Sequence, residues 1–312
     1  MRDVDTVPES LVTIADFIRF TYSRLNREPV YFGHGTDNSW DEAVSLVLQS
    51  LDLPWDFSND LWICRLSRDE RDKLLRVVDA RIIDRIPLPY LTHQAWFCEH
   101  RFYVDERVLI PRSPIAELIL DRFSPWLSNE NLMNDRAANI LDLCTGSGCI
   151  GIACALEFEN AEVDLLDISA PALEVANINI SNYGLQDRVH AIKSDVFSAF
   201  DSQQEKRYDL IVSNPPYVDE DDFKHMPEEF SKEPELGLVS GKDGLNFVRQ
   251  LLAEASRYLS DDGLLVVEVG NSCEALEHAY PEHPFTWIEF EFGGHGVFVM
   301  QASELALLST SN

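Results

Sequence analysis

The feature that most restricts this chain is an alternation that begins at residue 139. Residues 139–144, 161–166, 188–192, 208–213 and 264–269 read as strands, and 150–157, 171–180 and 245–259 as helices. Strands that alternate with helices imply a parallel sheet covered on both faces. The end of the chain breaks the pattern. Residues 285–292, Gly293-Gly294-His295-Gly296 and 297–301 read as two strands joined by a turn, so the sheet closes on an antiparallel hairpin.

The first 90 residues have a different period. Leu11, Ile14, Ala15 and Ile18 share one helical face. Ser39-Trp40-Asp41-Glu42 and Ser67-Arg68-Asp69-Glu70 both read as capping boxes that open helices, and Pro87 and Pro89 end the second of these. Residues 95–111 are aromatic and β-branched around polar centres, which predicts a β-hairpin. Ser113-Pro114 then places an N-cap and a first-turn proline. The expected division is a helical substrate-recognition domain over 1–92, a hairpin linker over 93–112 and an α/β domain over 113–312.

The first strand of the alternation runs Ile140-Leu141-Asp142-Leu143-Cys144 into Thr145-Gly146-Ser147-Gly148. Glycines let a backbone pass close to a ligand, and open α/β sheets bind ligands at the carboxyl ends of their strands. Gly146-Ser147-Gly148-Cys149-Ile150-Gly151 matches the dinucleotide fingerprint, with Asp167 following in the place of a ribose-binding acid. Asp142 fits a different ligand. A carboxylate ahead of the glycines suits the cationic amino group of S-adenosylmethionine and is unwelcome beside a pyrophosphate. A tight turn without a ligand is the third reading of this loop.

Asp209-Leu210-Ile211-Val212-Ser213 leads straight into Asn214-Pro215-Pro216-Tyr217. Two prolines fix φ and stiffen the turn. An amide nitrogen is a poor nucleophile because its lone pair is delocalised into the carbonyl. Two rigid acceptors, the Asn214 side-chain oxygen and the Pro215 carbonyl, could take the two amide hydrogens and aim the nitrogen, while the Tyr217 ring covers the flat group. The gain is positioning, with no strong base required.

Enzymes that methylate the amino group of adenine use a similar turn, and composition bears on that alternative. With 25 Lys+Arg against 54 Asp+Glu, the net charge is −29. Nucleic-acid binding needs clustered cations that displace counterions, whereas a polyanion attracts a basic partner. Direct nucleic-acid binding is therefore not expected. Cys64, Cys98, Cys144, Cys149, Cys154 and Cys273 form no CxxC pair, which argues against a zinc site. An acidic N-terminus and the lack of a long apolar run give the expectation of a cytoplasmic protein without membrane association.

The strand–Asp142–glycine loop, Asp167, Ser194-Asp195 and Asn214-Pro215-Pro216-Tyr217 together resemble the protein-glutamine N5-methyltransferases, and the resemblance spans essentially the whole chain. That family has one branch that acts on translation release factors, which stays the alternative, and one that acts on a large-subunit ribosomal protein, the third by number; Gly33-His34-Gly35-Thr36-Asp37-Asn38 and the segment from Val108 through Pro111-Arg112-Ser113-Pro114 to Leu118 resemble the ribosomal branch. The resemblance implies a class I methyltransferase sheet and S-adenosylmethionine as cofactor. It also implies that Asp142, Thr145, Gly146, Gly148, Asp167, Asp195 and Asn214 serve the cofactor. Asn214, Pro215, Pro216 and Tyr217 would grip the glutamine of a basic ribosomal protein. One position departs from the family. Cys144 stands where the loop usually has its first glycine, so its φ should be negative, and a small residue there should leave the loop intact. Arg112 could meet a ligand carboxylate or pair with a local acid. The acids of 219–222, 228–229, 233 and 235 could face a basic substrate, and His34 and Asp37 could pack their domain or touch that substrate.

Overall fold

The structure is a computed structural model that describes residues 10–127, 138–200, 206–283 and 285–310. It divides into two compact units.

The first unit comprises the N-terminal residues to Gln94 together with Pro227–Lys232. Its helices are α1 (Ile14–Leu25), α2 (Ser39–Ser50), α3 (Arg68–Ile82) and the short α4 (Leu88–Thr92). The boxes expected at residues 39 and 67 have different outcomes. Ser67 and Glu70 form a reciprocal capping box. At α2 the cap is one residue earlier: Asn38 accepts from the amides of Trp40 and Asp41, and the Ser39 hydroxyl is turned to Asn26. Glu42 is thereby freed for the interior, where it pairs with Arg81. Pro87 and Pro89 do not end α3, which stops at Ile82; they form the first turn of α4, where a missing N–H costs nothing.

Arg81 is 1% exposed and sits at the centre of this unit. Its guanidinium meets Glu42, lies 3.3 Å from Glu229 and donates to the Tyr31 carbonyl at 2.7 Å. The Tyr31 amide in turn donates to Glu229 at 3.0 Å. Beside this cluster Phe230 packs on His34, with ring centroids 4.7 Å apart. His34 is therefore a packing residue of the unit. Asp37, by contrast, lies on an exposed loop and accepts from the Asn38 side chain.

The second unit begins with a hairpin, β1 (Ala95–Phe97) and β2 (His100–Phe102). Cys98 and Glu99 both have positive φ, as a two-residue hairpin turn demands. The hairpin expected over 95–111 is thus shorter. Beyond Phe102 the ladder is replaced by side-chain bonds: the Tyr103 amide donates to Asn179, and Asp105 accepts from the Arg107 amide. Helix α5 (Ile115–Leu120) follows, with the Ser113 hydroxyl accepting from the Ile115 amide.

The main sheet has seven strands: β3 (Asn139–Leu143), β4 (Glu162–Asp167), β5 (Val189–Lys193), β6 (Tyr208–Ser213), β7 (Leu259–Glu268), β8 (Thr286–Trp287) and β9 (Val297–Gln301). Their order is β5-β4-β3-β6-β7-β9-β8, parallel from β5 to β7 and antiparallel at the closing pair. The strand expected over 285–292 shrinks to two residues. The amides of Glu291 and Phe292 donate to Glu117 instead of to a ladder, and Gly293, Gly294 and Gly296 take positive φ.

Side chains alternate across the strands. Ile140, Val163, Leu210 and Val266 join one apolar cluster with α6 (Cys149–Glu157) and α7 (Ala170–Tyr183). Leu141, Leu166, Ile211 and Leu265 join a second with α9 (Asn246–Glu254) and α11 (Ala302–Thr310). Two short helices, α8 (Glu220–His225) and α10 (Cys273–Ala279), flank α9 in sequence. The sheet is covered on both faces, as the alternation implies. No helix among the described residues is long and apolar enough to cross a membrane.

Replacing Arg81 by Ala would leave the Glu42 carboxylate buried without its cation, while Glu229 keeps Arg85 at 3.5 Å. An uncompensated buried charge costs about 3–5 kcal/mol. Denaturant unfolding of Arg81→Ala is expected to show a loss of that order, whereas Asp37→Ala, on the exposed loop, should change little.

Candidate active site

Strand order puts the two sequence motifs side by side. The chain runs outward from β3 through β4 to β5, then returns to the other flank of β3 as β6. Ligands bind at such switch points, outside the carboxyl ends of the strands. Leu143 pairs with Ser213 at the last rung, and the Ser213 hydroxyl donates to the Leu143 carbonyl at 2.8 Å. The glycine loop therefore leaves β3 next to the point where Asn214 leaves β6. A cleft opens there, lined by residues that include Ile110, Arg112, Thr145, Gly146, Asp167, Asp195, Asn214, Pro216 and Leu236.

The loop is shaped from behind by Asp142, which is fully buried. One of its oxygens, Oδ2, accepts from the Thr145 hydroxyl at 2.5 Å and from the Gly151 amide at 2.9 Å. The other, Oδ1, has no hydrogen-bond partner among the described residues. Burial pushes the Asp142 carboxyl up to about 7, against those two hydrogen bonds, which act to lower it. Asp167 anchors the loop from the side: its carboxylate accepts from the amides of Gly146 at 2.9 Å and Ser169 at 2.8 Å. Burial raises its pKa as well.

Two of the glycines answer different needs. A Cβ on Gly146 would point into open space, and φ there is +55°, so this glycine serves the turn and leaves the backbone open to the cleft. A Cβ on Gly151 would stand 2.1 Å from Leu165 and 3.0 Å from Asp142, so that glycine lets α6 press onto β4 and the acid. Cys144 does not meet the expectation of a negative φ. Its φ is +59°, the glycine-favouring region, and the turn persists because Thr145 N–H bonds the Leu166 carbonyl and Gly146 N–H bonds Asp167. A residue with a Cβ thus takes a conformation that favours glycine, at a conformational cost of roughly 1–2 kcal/mol.

At the end of β6 the Asn214 side-chain oxygen is buried and has no hydrogen-bond partner among the described residues. Leaving such a group unmade costs about 1–3 kcal/mol. Ser147 Oγ is in the same condition. Pro215 is buried, and neither it nor Tyr217 lines the cleft. The Tyr217 hydroxyl donates to Glu268 at 2.8 Å.

The two arginines on the cleft wall are already paired. Arg112 donates two parallel hydrogen bonds to the Glu233 carboxylate, at 2.6 and 2.8 Å, which decides between the two fates open to it from sequence. Arg107 holds Asp105 at 2.6 and 2.8 Å. A pyrophosphate would find both cations neutralised, which weighs against the dinucleotide reading. The Glu229 and Glu233 carboxylates are buried in ion pairs, so of the acidic loop only Asp219–Asp222, Glu228 and Glu235 retain the role of a surface that could face a substrate.

Comparison with known proteins identifies the family. The model of the methyltransferase small domain matches residues 119–285. A ribosomal protein uL3 glutamine methyltransferase of Francisella tularensis is 48% identical over 95% of this chain and 92% of its own length. One from Neisseria gonorrhoeae is 47% identical over 95% of this chain and 97% of its own. The chain belongs to the uL3 glutamine methyltransferase family. Among solved structures, a methyltransferase from Pyrococcus furiosus matches with a TM-score of 0.43 at 18% identity, over 64% of this chain and 88% of that one.

Of the residues singled out from sequence, this family member brings Thr145, Gly146, Asp167, Asp195, Asn214 and Pro216 to one cleft, and keeps Asp142, Gly148, Pro215 and Tyr217 outside its lining. Asp195 is exposed on the rim, its amide donating to Ser198. Sequence reasoning missed Glu268, and it read Glu233 as a surface acid where the structure pairs it with Arg112. Both are remote in the chain from the groups they hold, and nothing in their local pattern distinguishes them from surface acids.

A carboxyl whose folded pKa is raised favours the fold below its unfolded value, near 4, and loses that contribution as pH rises towards 7. Asp142→Asn should therefore raise the melting temperature of the ligand-free protein at pH 8 and change it much less at pH 4. Thermal scans at the two pH values check this. An equal shift at both would mean that ionisation of Asp142 is not the source.

Proposed function

We propose that this chain transfers a methyl group from S-adenosylmethionine to the side-chain amide nitrogen of a glutamine in ribosomal protein uL3. The observation that carries the reading is the orphaned, buried oxygen of Asn214 beside a glycine loop. An oxygen kept dry and unbonded is poised for an N–H that arrives with the substrate.

The residues present fit the cofactor. Gly146 leaves the backbone uncovered, Asp142 Oδ1 and Ser147 Oγ lack hydrogen-bond partners among the described residues, and the acids Asp167 and Asp195 line the cleft alongside neutralised arginines. Thr145, Gly146, Asp167, Asp195 and Asn214 would hold it, with Asp142 and Gly148 setting the loop from behind. S-adenosylmethionine supplies an electrophilic methyl group when bound. Asn214 Oδ1 and the Pro215 carbonyl accept the two amide hydrogens of the glutamine and so fix the direction of its nitrogen. Pro215 and Pro216 keep those acceptors from turning away. Tyr217 closes the turn behind them. Positioning of this kind replaces a general base: as the nitrogen bonds the methyl carbon the carbon–sulfur bond would break to leave the neutral thioether, and the amide proton, made acidic by the fourth bond, would pass to water.

The helical unit is proposed to choose the substrate, over residues 1–92, with 93–112 as linker and 113–312 as catalytic domain. Its stretch from Asp52 to Ile63 exposes Trp55, Leu61 and Ile63 among Asp52, Asp56 and Asp60, a combination suited to a basic protein with apolar side chains. The acidity of the whole chain favours free or early-assembling uL3 in the cytoplasm over mature subunits, whose surface is largely RNA phosphate.

Transfer of labelled methyl to free uL3, mature large subunits, a release factor and DNA tests the proposal. Label is expected on free uL3, with Asn214→Ala slower by about 100-fold or more, the loss that a misplaced reacting group produces. Label on the release factor would overturn the substrate; label on DNA, or an undiminished Asn214→Ala, would overturn the chemistry.

A further inference from the structure

We infer that Glu268 is a positioning residue for methyl transfer, acting through the Tyr217 hydroxyl to lock the turn that carries Asn214 and Pro215. The inference rests on the role proposed above for that turn.

Glu268 ends β7, one strand over from β6, and is 5% exposed. Each of its carboxylate oxygens takes one hydroxyl: Oε1 accepts from Tyr217 at 2.8 Å, and Oε2 from Ser113 at 2.5 Å. The Ser113 bond is short and the Tyr217 bond is of ordinary hydroxyl–oxygen length. Burial pushes the Glu268 carboxyl up, and the Ser113 and Tyr217 bonds with the nearby Arg112 charge oppose that. A carboxylate taken out of water needs such donors to remain. With both oxygens engaged and no place in the cleft lining, Glu268 reaches the substrate only through its partners.

Tyr217 is held at two further points. Its carbonyl accepts from Ser272 at 2.8 Å, and a Cβ on Gly244 would stand 2.1 Å from that same oxygen. Its ring edge lies against Gly270, where a Cβ would come within 2.5 Å. Gly270 is backed in turn by Gly296, whose Cβ would be 2.2 Å from the Gly270 carbonyl. The ring thus sits in a slot too narrow for any side chain at 270, with the hydroxyl pinned at the far end. A turn of two prolines has its φ fixed but can still pivot as a body about its ends. The bond from Tyr217 to Glu268 removes that pivot at one end, and the end of β6 removes it at the other. On the opposite wall, the same carboxylate holds Ser113, which lines the cleft with Asn214.

A double-mutant cycle of Tyr217→Phe and Glu268→Ala tests this, read as kcat and KM for labelled methyl transfer to uL3, with cofactor affinity and melting temperature measured on each variant. Glu268→Gln stands in if the Ala variant does not fold. Each single variant is expected to lower kcat by about 10–100-fold, the scale of a reacting group misplaced by an ångström, with cofactor affinity within about twofold of the parent. The double variant should be little slower than the slower single one, because both remove the same bond. Losses that multiply, or a kcat unchanged by Glu268→Gln and Glu268→Ala alike, would overturn the inference. Asn214→Ala is run alongside: if it keeps full activity, the reading of the turn itself has failed, whatever the cycle shows.

Discussion

The parallel pairing of β3 with β6 is the constraint on which the rest of the catalytic unit depends. These two strands are distant in the chain, and the rung from Leu143 to Ser213 brings their carboxyl ends together. The two motifs of the cleft hang from those ends: the glycine loop from one, the Asn-Pro-Pro-Tyr turn from the other. Their neighbours β4 and β7 add Asp167 and Glu268 at the same edge. The apolar faces above and below bury the strands so completely that their ends cannot shift independently.

Around that edge the polar groups are divided by whether they are satisfied. Asp167, Glu233 and Glu268 are fully engaged with amides, a guanidinium or hydroxyls. Asp142 is half engaged, and Asn214 is bare at its side-chain oxygen among the described residues. A folded chain tolerates a few such deficits only where the surrounding structure enforces them. Here the enforcement is visible in the tight approaches at Gly151, Gly244 and Gly270, each of which excludes a side chain.

The sheet was legible in the sequence because burial on both faces produces long apolar runs with regular spacing. Tyr208–Ser213 and Val297–Gln301 have the bounds that the pattern gives. Legibility failed where one residue had two options. Ser39 and Asn38 are both good caps, and Asn38 took the position because its oxygen reaches two amides. Residues 103–111 look like a strand, yet Asn179 and Asp105 supply the hydrogen bonds that a second ladder would have provided. Cys144 was misjudged for a related reason: local preference asks for a glycine, and two backbone bonds from the following residues outweigh it. The long-range acids were invisible because a buried Glu268 and an exposed Glu274 look alike as letters.

The segment Pro227–Lys232 has a bearing on modularity. It is encoded between two parts of the α/β unit, yet Glu229 and Phe230 complete the interior of the helical unit around Arg81 and His34. The helical unit is therefore discontinuous in the gene. A fragment cut at residue 94 would carry Arg81 without one of its two carboxylates and His34 without the ring that covers it. Recombination that exchanged N-terminal halves between relatives would have to carry this six-residue piece along to keep the interior around Arg81 and His34 complete.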